Sequence, residues 1–169
     1  MIRPILRYGE ASLHIKAAPV ERCDDSLRTL LRDMVETMYA APGVGLAAPQ
    51  IGVPLRVFVI DVSVGKRGGE LIEMINPEFI VCEGMQLEEE GCLSIPGFEA
   101  TVVRPMRAVV RGFGRDGSAT TVEGTGLLAR ALQHEMDHLD GSLFVDRLRG
   151  IKRDVIIRKV QKLKRSGKW

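Results

Sequence analysis

The apolar positions of this chain change period along its length. Leu27, Leu30, Leu31, Met34, Val35 and Met38 recur at helical spacing. Asp24 or Asp25 can cap that helix, because a short carboxylate accepts from the free N–H groups of a first turn. Ala41-Pro42-Gly43 ends it just beyond Tyr39. Leu55 to Val62 is then an apolar run rich in β-branched residues, bounded by Pro54 and the Gly65–Gly69 loop, and predicts a strand. Shorter strands are expected over Leu71–Ile75, Phe79–Cys82, Glu99–Val103, Ala108–Phe113 and Ala119–Glu123, with turns at Asn76-Pro77, Arg104-Pro105 and Asp116-Gly117. Helical spacing returns over Thr125–Leu139, closed by Gly141. It returns again over Ile151–Lys164, where Ile151, Val155, Ile156, Val160 and Leu163 form one stripe. Strands lying between helices without regular βα alternation predict an α+β fold with short antiparallel sheets.

Composition narrows the class. At 169 residues, 45% hydrophobic and 27% charged, the chain is expected to form one soluble domain over residues 1–169. The opening Met1–Arg7 has no long apolar core or small-residue cleavage pattern, and no apolar run approaches the roughly 20 residues that cross a bilayer. Cys23, Cys82 and Cys92 are an odd number at scattered spacings, which favours a reducing compartment, the cytoplasm, over a disulfide framework. Cys23 and Cys82 read as buried structural cysteines.

The net charge of +2 conceals an asymmetry. Residues 151–169 hold eight Lys or Arg against the single acid Asp154, while the other 150 residues hold sixteen bases and twenty-one acids. A basic final helix on an acidic body suggests a polyanionic partner at that end, or simply a solvated helix face.

Chemistry concentrates in His134-Glu135-Met136-Asp137-His138, which uses two of the three histidines. Residues four apart stand above one another on a helix, so His134 and His138 can grip one metal ion. Glu135 lies about 100° round the helix, where a general base for a water activated at that metal belongs. The expected architecture is therefore short antiparallel sheets packed around a central metal-binding helix, with a second helix at the end. No His or Glu follows His138, and Asp140, Asp146 and Asp154 look like helix ends or surface caps, so the third ligand should lie upstream. Cys92 is the candidate, because Glu90-Gly91-Cys92-Leu93-Ser94-Ile95-Pro96-Gly97 gives it an unusual backbone path between glycines and a proline. Gly43-Val44-Gly45-Leu46-Ala47-Ala48-Pro49-Gln50 is small and apolar, and ends in an amide. Gly45, like Gly91 beside Cys92, would let an extended peptide approach closely. Gln50 could donate to a developing oxyanion.

Together GVGLAAPQ at 43–50, EGCLS at 90–94 and QHEMDH at 133–138 resemble the three motifs of the peptide deformylase family, in order and spacing and over essentially the whole chain. The resemblance implies removal of the formyl group from the N-terminal formyl-methionine of nascent polypeptides, releasing formate. It implies Cys92, His134 and His138 as metal ligands and Glu135 as the base, with Gln50 and the Leu93 backbone N–H on the oxyanion. It implies Fe2+ as the ion, with Zn2+, Ni2+ or Co2+ able to occupy the site. Val44, Leu127 and Ala131 would surround the methionine side chain, with the His134 ring as one wall. Glu88 departs from the family, standing where relatives carry an apolar residue near that pocket. Glu90 and Arg104 are a candidate ion pair supporting Cys92 without touching the metal. The basic final helix would bring the enzyme to the phosphate-rich ribosome.

Two other classes compete. An endopeptidase could use the same helix, but would ordinarily take a downstream third ligand. A structural zinc site on an RNA-binding module would need a fourth ligand, and the sequence offers no credible one.

Overall fold

The computed structural model describes all of residues 1–169. Helix α1 (Asp25–Ala40) starts where Asp24 accepts from the Leu27 N–H at 3.0 Å. Strands follow at β1 (Gly45–Ala47), β2 (Val57–Ile60), β3 (Ile72–Glu83), β4 (Gln86–Gly91), β5 (Glu99–Arg104), β6 (Arg107–Phe113) and β7 (Ala119–Thr125). Helix α2 (Gly126–Leu139) and helix α3 (Ile151–Arg165) close the order. All pairings between these strands are antiparallel, giving a five-stranded sheet β1-β2-β3-β6-β7 and a separate β4-β5 ribbon. The fold is α+β, as the sequence predicts.

Strand β2 shows why the large sheet sits where it does. Its four residues are all buried, because alternate side chains serve different helices. Phe58 and Ile60 point to the side of α2, joining Ala47, Met74, Ala108 and Val110 against Ala129, Leu132, Met136 and Leu139. Val57 and Val59 point to the side of α1, joining Leu46 and Ile75 against Leu27, Leu31, Met34 and Met38. A third cluster, with Leu13, Ile95, Val102 and Phe144, seats α3 through Ile156 and Val160.

Several local expectations are corrected. Asn76-Pro77 does not end a strand. The sheet runs through it as β3, with a register shift between Ile75 and Glu78. Asn76 takes a positive φ of 50° there, and its side chain both accepts from and donates to the Val20 backbone. Strand β1 lies within the small, apolar segment 43–50 and β4 within a run of glutamates, two stretches for which the sequence pattern predicts no strand. On α3, Ile151 and Val155 are exposed, so only Ile156 and Val160 of the expected stripe are fully buried. Cys23 and Cys82 are exposed, not buried.

Candidate metal centre and active-site cleft

Helix α2 presents His134 and His138 on one face, and the loop after β4 brings Cys92 to them. One ligand atom from each of the three lies within 4.8 Å of the others. Cys92 Sγ stands 3.3 Å from His138 Nε2. His134 Nδ1 is engaged by Glu90, which leaves Nε2 for a metal. One thiolate and two imidazoles suit Fe2+, Zn2+, Ni2+ and Co2+ alike. Asp140, Asp146 and Asp154 are not in the cluster; Asp146 accepts the Leu143 N–H at 2.9 Å.

Glu135 is buried, and its Oε2 has no hydrogen-bond partner. Burial pushes its carboxyl up to about 7, against the opposing charge of His134. A carboxylate tuned to near neutrality can both take and return a proton. Room for it comes from β1: a β-carbon on Gly45 would stand 2.5 Å from Glu135 Oε1. The small residue at 45 is therefore explained first by Glu135, beyond any approach of a bound peptide. Gly43 likewise makes room for Leu93, whose Cδ1 would lie 2.6 Å from an added β-carbon.

Gln50 is buried on a 3-10 turn that follows β1. Its Oε1 accepts the Ala47 N–H at 2.9 Å. That bond fixes the amide so that Nε2 turns towards the metal loop, 3.1 Å from Ser94 Oγ and 3.7 Å from Cys92 Sγ. Ser94 N–H also reaches Cys92 Sγ at 3.4 Å. The Cys92 sulfur thus accepts from both the Gln50 amide and the Ser94 N–H.

The expected Glu90–Arg104 pair is present and forms part of a larger network. Arg104 is fully buried and holds both Glu90 oxygens, through Nε at 2.7 Å and Nη2 at 2.5 Å. Burial alone would raise the Glu90 pKa, but the Arg104 and His134 hydrogen bonds outweigh it and hold the carboxyl well below its usual range. Two partners were not foreseen. Arg130 Nη1 reaches Glu90 Oε2 at 2.7 Å from within α2. Asp137 accepts from Arg104 at 3.0 Å and from Arg147 at 2.6 Å and 2.8 Å. Arg130 falls four residues before His134 on the same helix, and that spacing was the available signal.

These groups open into a cleft of about 880 Å³. Val44, Gly45, Gln50, Glu90, Gly91, Cys92, Leu93, Leu127, Ala131, His134 and Glu135 all line it, whereas His138 and Arg104 support it from behind. Leu127 is 55% exposed there, and Ala131 is shared with the core beneath. Glu88 is exposed and does not line the cleft.

A Cys-His-His cluster beside a buried glutamate at the wall of a cleft defines the class as metal-dependent hydrolase. The family model described as polypeptide deformylase matches residues 2–154. A peptide deformylase of Acidobacterium capsulatum is 48% identical over 169 residues, covering 100% of this chain and 99% of that protein. A solved peptide deformylase from Legionella pneumophila superposes with a TM-score of 0.92 at 49% identity, covering 99% of this chain and 98% of that one. One from Synechococcus elongatus, in complex with actinonin, gives 0.89 at 38% identity, covering 95% and 90%. The chain belongs to the peptide deformylase family, metal-dependent enzymes that remove the formyl group from N-terminal formyl-methionine of nascent polypeptides. That membership decides against the endopeptidase and RNA-binding readings. No helix is long and apolar enough to cross a membrane.

Proposed function

We propose that this chain acts as one catalytic unit over residues 1–169, with Cys92, His134 and His138 holding a single divalent ion on the central helix α2. When bound, that ion supplies Lewis acidity, so that water becomes a competent nucleophile near neutral pH. Glu135 accepts the proton of the attacking water at Oε2 and returns it to the amine nitrogen as the formyl C–N bond breaks. A C–O bond forms, formate leaves, and the methionine keeps a free amino group. Gln50 Nε2 and the Leu93 N–H donate to the oxygen on which charge develops. Val44, Leu127, Ala131 and the His134 ring enclose the methionine side chain, while Gly45 and Gly91 let the peptide backbone lie close.

The observation that carries this reading is the unpartnered Oε2 of a fully buried glutamate beside three converging ligand atoms. A buried carboxylate oxygen without a partner is costly unless a reacting group uses it. Glu135→Gln should retain a full complement of metal yet lose formate release from a formyl-methionyl peptide by about 10²-fold or more. Near-full turnover in that variant would remove Glu135 from the role.

Fe2+ is proposed as the working ion, although affinity order alone favours zinc for these ligands. A thiolate ligand with Fe2+ makes activity oxygen-sensitive, so metal analysis and activity after anaerobic purification test the assignment. The proposed setting is the cytoplasm, where three unpaired cysteines stay reduced. Contact with the ribosome through the basic face of α3 is proposed on charge.

A further inference from the structure

Trp169 is the only tryptophan of the chain and lies beyond α3, yet it is half-buried against the loop that carries Cys92. Its indole N–H donates to the Tyr8 carbonyl at 2.9 Å. Its ring meets Phe98 edge-on, with centroids 6.2 Å apart. The Arg7 guanidinium carbon stands 5.8 Å from its centroid. Arg7 and Phe98 are both cleft-lining residues.

The contacts continue inward. Tyr8 donates its backbone N–H to the Ser94 carbonyl at 2.8 Å, and two residues earlier Leu6 donates to the Gln50 carbonyl at 2.7 Å. Ser94 is the residue that touches both Cys92 Sγ and the Gln50 amide. One hydrogen-bonded path therefore joins Trp169, the segment Leu6–Tyr8 and the loop running from Cys92 to Phe98.

This path bears on a particular part of the cleft. If the cleft holds a formyl-methionyl peptide, as proposed above, helix α2 supplies the wall for the methionine side chain. A second wall, with Arg7, Pro96 and Phe98, comes from outside α2 and is left for the residues that follow methionine. That wall is a loop and an irregular segment, so its shape depends on what packs behind it. We propose that Trp169 is a positioning residue for this second wall: it holds Arg7 and Phe98 in place, and so sets affinity for longer substrates without touching the reacting atoms. A side chain acting in this way alters KM for peptides that reach the wall and leaves kcat alone.

The experiment compares a formyl-methionyl dipeptide with a formyl-methionyl tetrapeptide, using formate release by the full chain and by Trp169→Ala. The variant should raise KM for the tetrapeptide about fivefold or more, with kcat for both peptides and KM for the dipeptide within about twofold. A second measurement needs no variant. Because Trp169 is the sole tryptophan, the deformylated tetrapeptide should change its emission while the deformylated dipeptide leaves it unchanged. Equal KM changes for both peptides, or a loss of kcat accompanied by a lower melting temperature, would make Trp169 purely structural and overturn the inference. So would an emission spectrum indifferent to the tetrapeptide. Failure of the unaltered chain to release formate from either peptide would instead overturn the reading of the site itself.

Discussion

Gly45 on β1 and Glu135 on α2 face each other so closely that a β-carbon at residue 45 would stand 2.5 Å from Oε1 and 3.0 Å from Cδ of the glutamate. The contact follows from strand alternation. Leu46 points towards α1, so its neighbours Gly45 and Ala47 point towards α2. An added methyl group cannot share that space, so the carboxylate would have to shift towards the cleft that Glu135 lines. Gly45→Ala should therefore displace the carboxylate while leaving the three metal ligands in place. Misplacing a reacting group by about 1 Å costs on the order of 10²-fold in rate. Formate release should fall by about that factor through kcat, with metal content unchanged. A variant with normal kcat would show that the position of Glu135 is not critical.

Glu90 satisfies three partners at once: Arg104, Arg130 and His134. Glu90→Gln would leave two buried guanidiniums facing a neutral amide and deprive His134 of the carboxylate that orients it. Removing one partner of a buried charge network destabilises by about 3–5 kcal/mol. Losing the support of a metal-bound histidine costs about 10- to 100-fold in metal affinity. Chelator competition and urea unfolding should show both losses in Glu90→Gln. Arg130→Met should show a smaller loss of each, since Arg104 still holds both Glu90 oxygens. Unchanged metal affinity in both variants would reduce the network to scaffolding.

What the sequence made legible, and what it hid, divides along physical lines. Helix α1 was readable because one apolar stripe and one capping aspartate agree. Helix α2 carries two histidines one turn apart with Glu135 between them, so all three are legible together. Strand β4 was hidden because its pattern is inverted. Gln86 and Glu90 are buried and Leu87 is exposed, the buried polar groups being matched by Arg130 and Arg104. The Glu90–Arg104 pair is legible in the sequence, but the polar buried face that makes this segment a strand is not, because Gln86 and Arg130 complete it. The bulge at Asn76 was hidden for a related reason, because the partner that stabilises it, Val20, is 56 residues away.

Tyr39, near the end of α1, donates its hydroxyl to Asp61 at 2.6 Å and ties the helix to the loop after β2. Burial first, and the Asp61 carboxylate second, push the tyrosine up to about 12. The folded state therefore keeps this proton at pH values where the unfolded chain, with tyrosine near its ordinary value of about 10, has lost it. The stabilisation is complete below about 10 and is lost as pH rises towards about 12. Tyr39→Phe has no such proton, so its unfolding free energy should decline less steeply over that window, though from a lower starting value because Asp61 has lost a donor. Parallel alkaline stability profiles for the two proteins would show that the pair contributes nothing to pH dependence.

The basic face of α3 is best tested without cutting the chain. Ile156 and Val160 dock the helix while Arg158, Lys159, Lys162 and Arg165 stay exposed on it. Shortening the helix would also remove Trp169 and its contacts with Tyr8 and Phe98, confusing ribosome contact with cleft geometry. Replacing those four residues by Gln keeps the fold and Trp169 and discharges only the surface. Each lost phosphate contact lowers the slope of log affinity against log salt by roughly 0.7–0.9, so the fourfold variant should lose about three from that slope. Its kcat and KM for short formyl-methionyl peptides should match those of the unaltered chain, because none of the four lines the cleft. Co-sedimentation with ribosomes across a salt series measures the slope directly. Identical slopes would mean that the charges on α3 only solvate it, and that nascent chains reach the cleft by free diffusion.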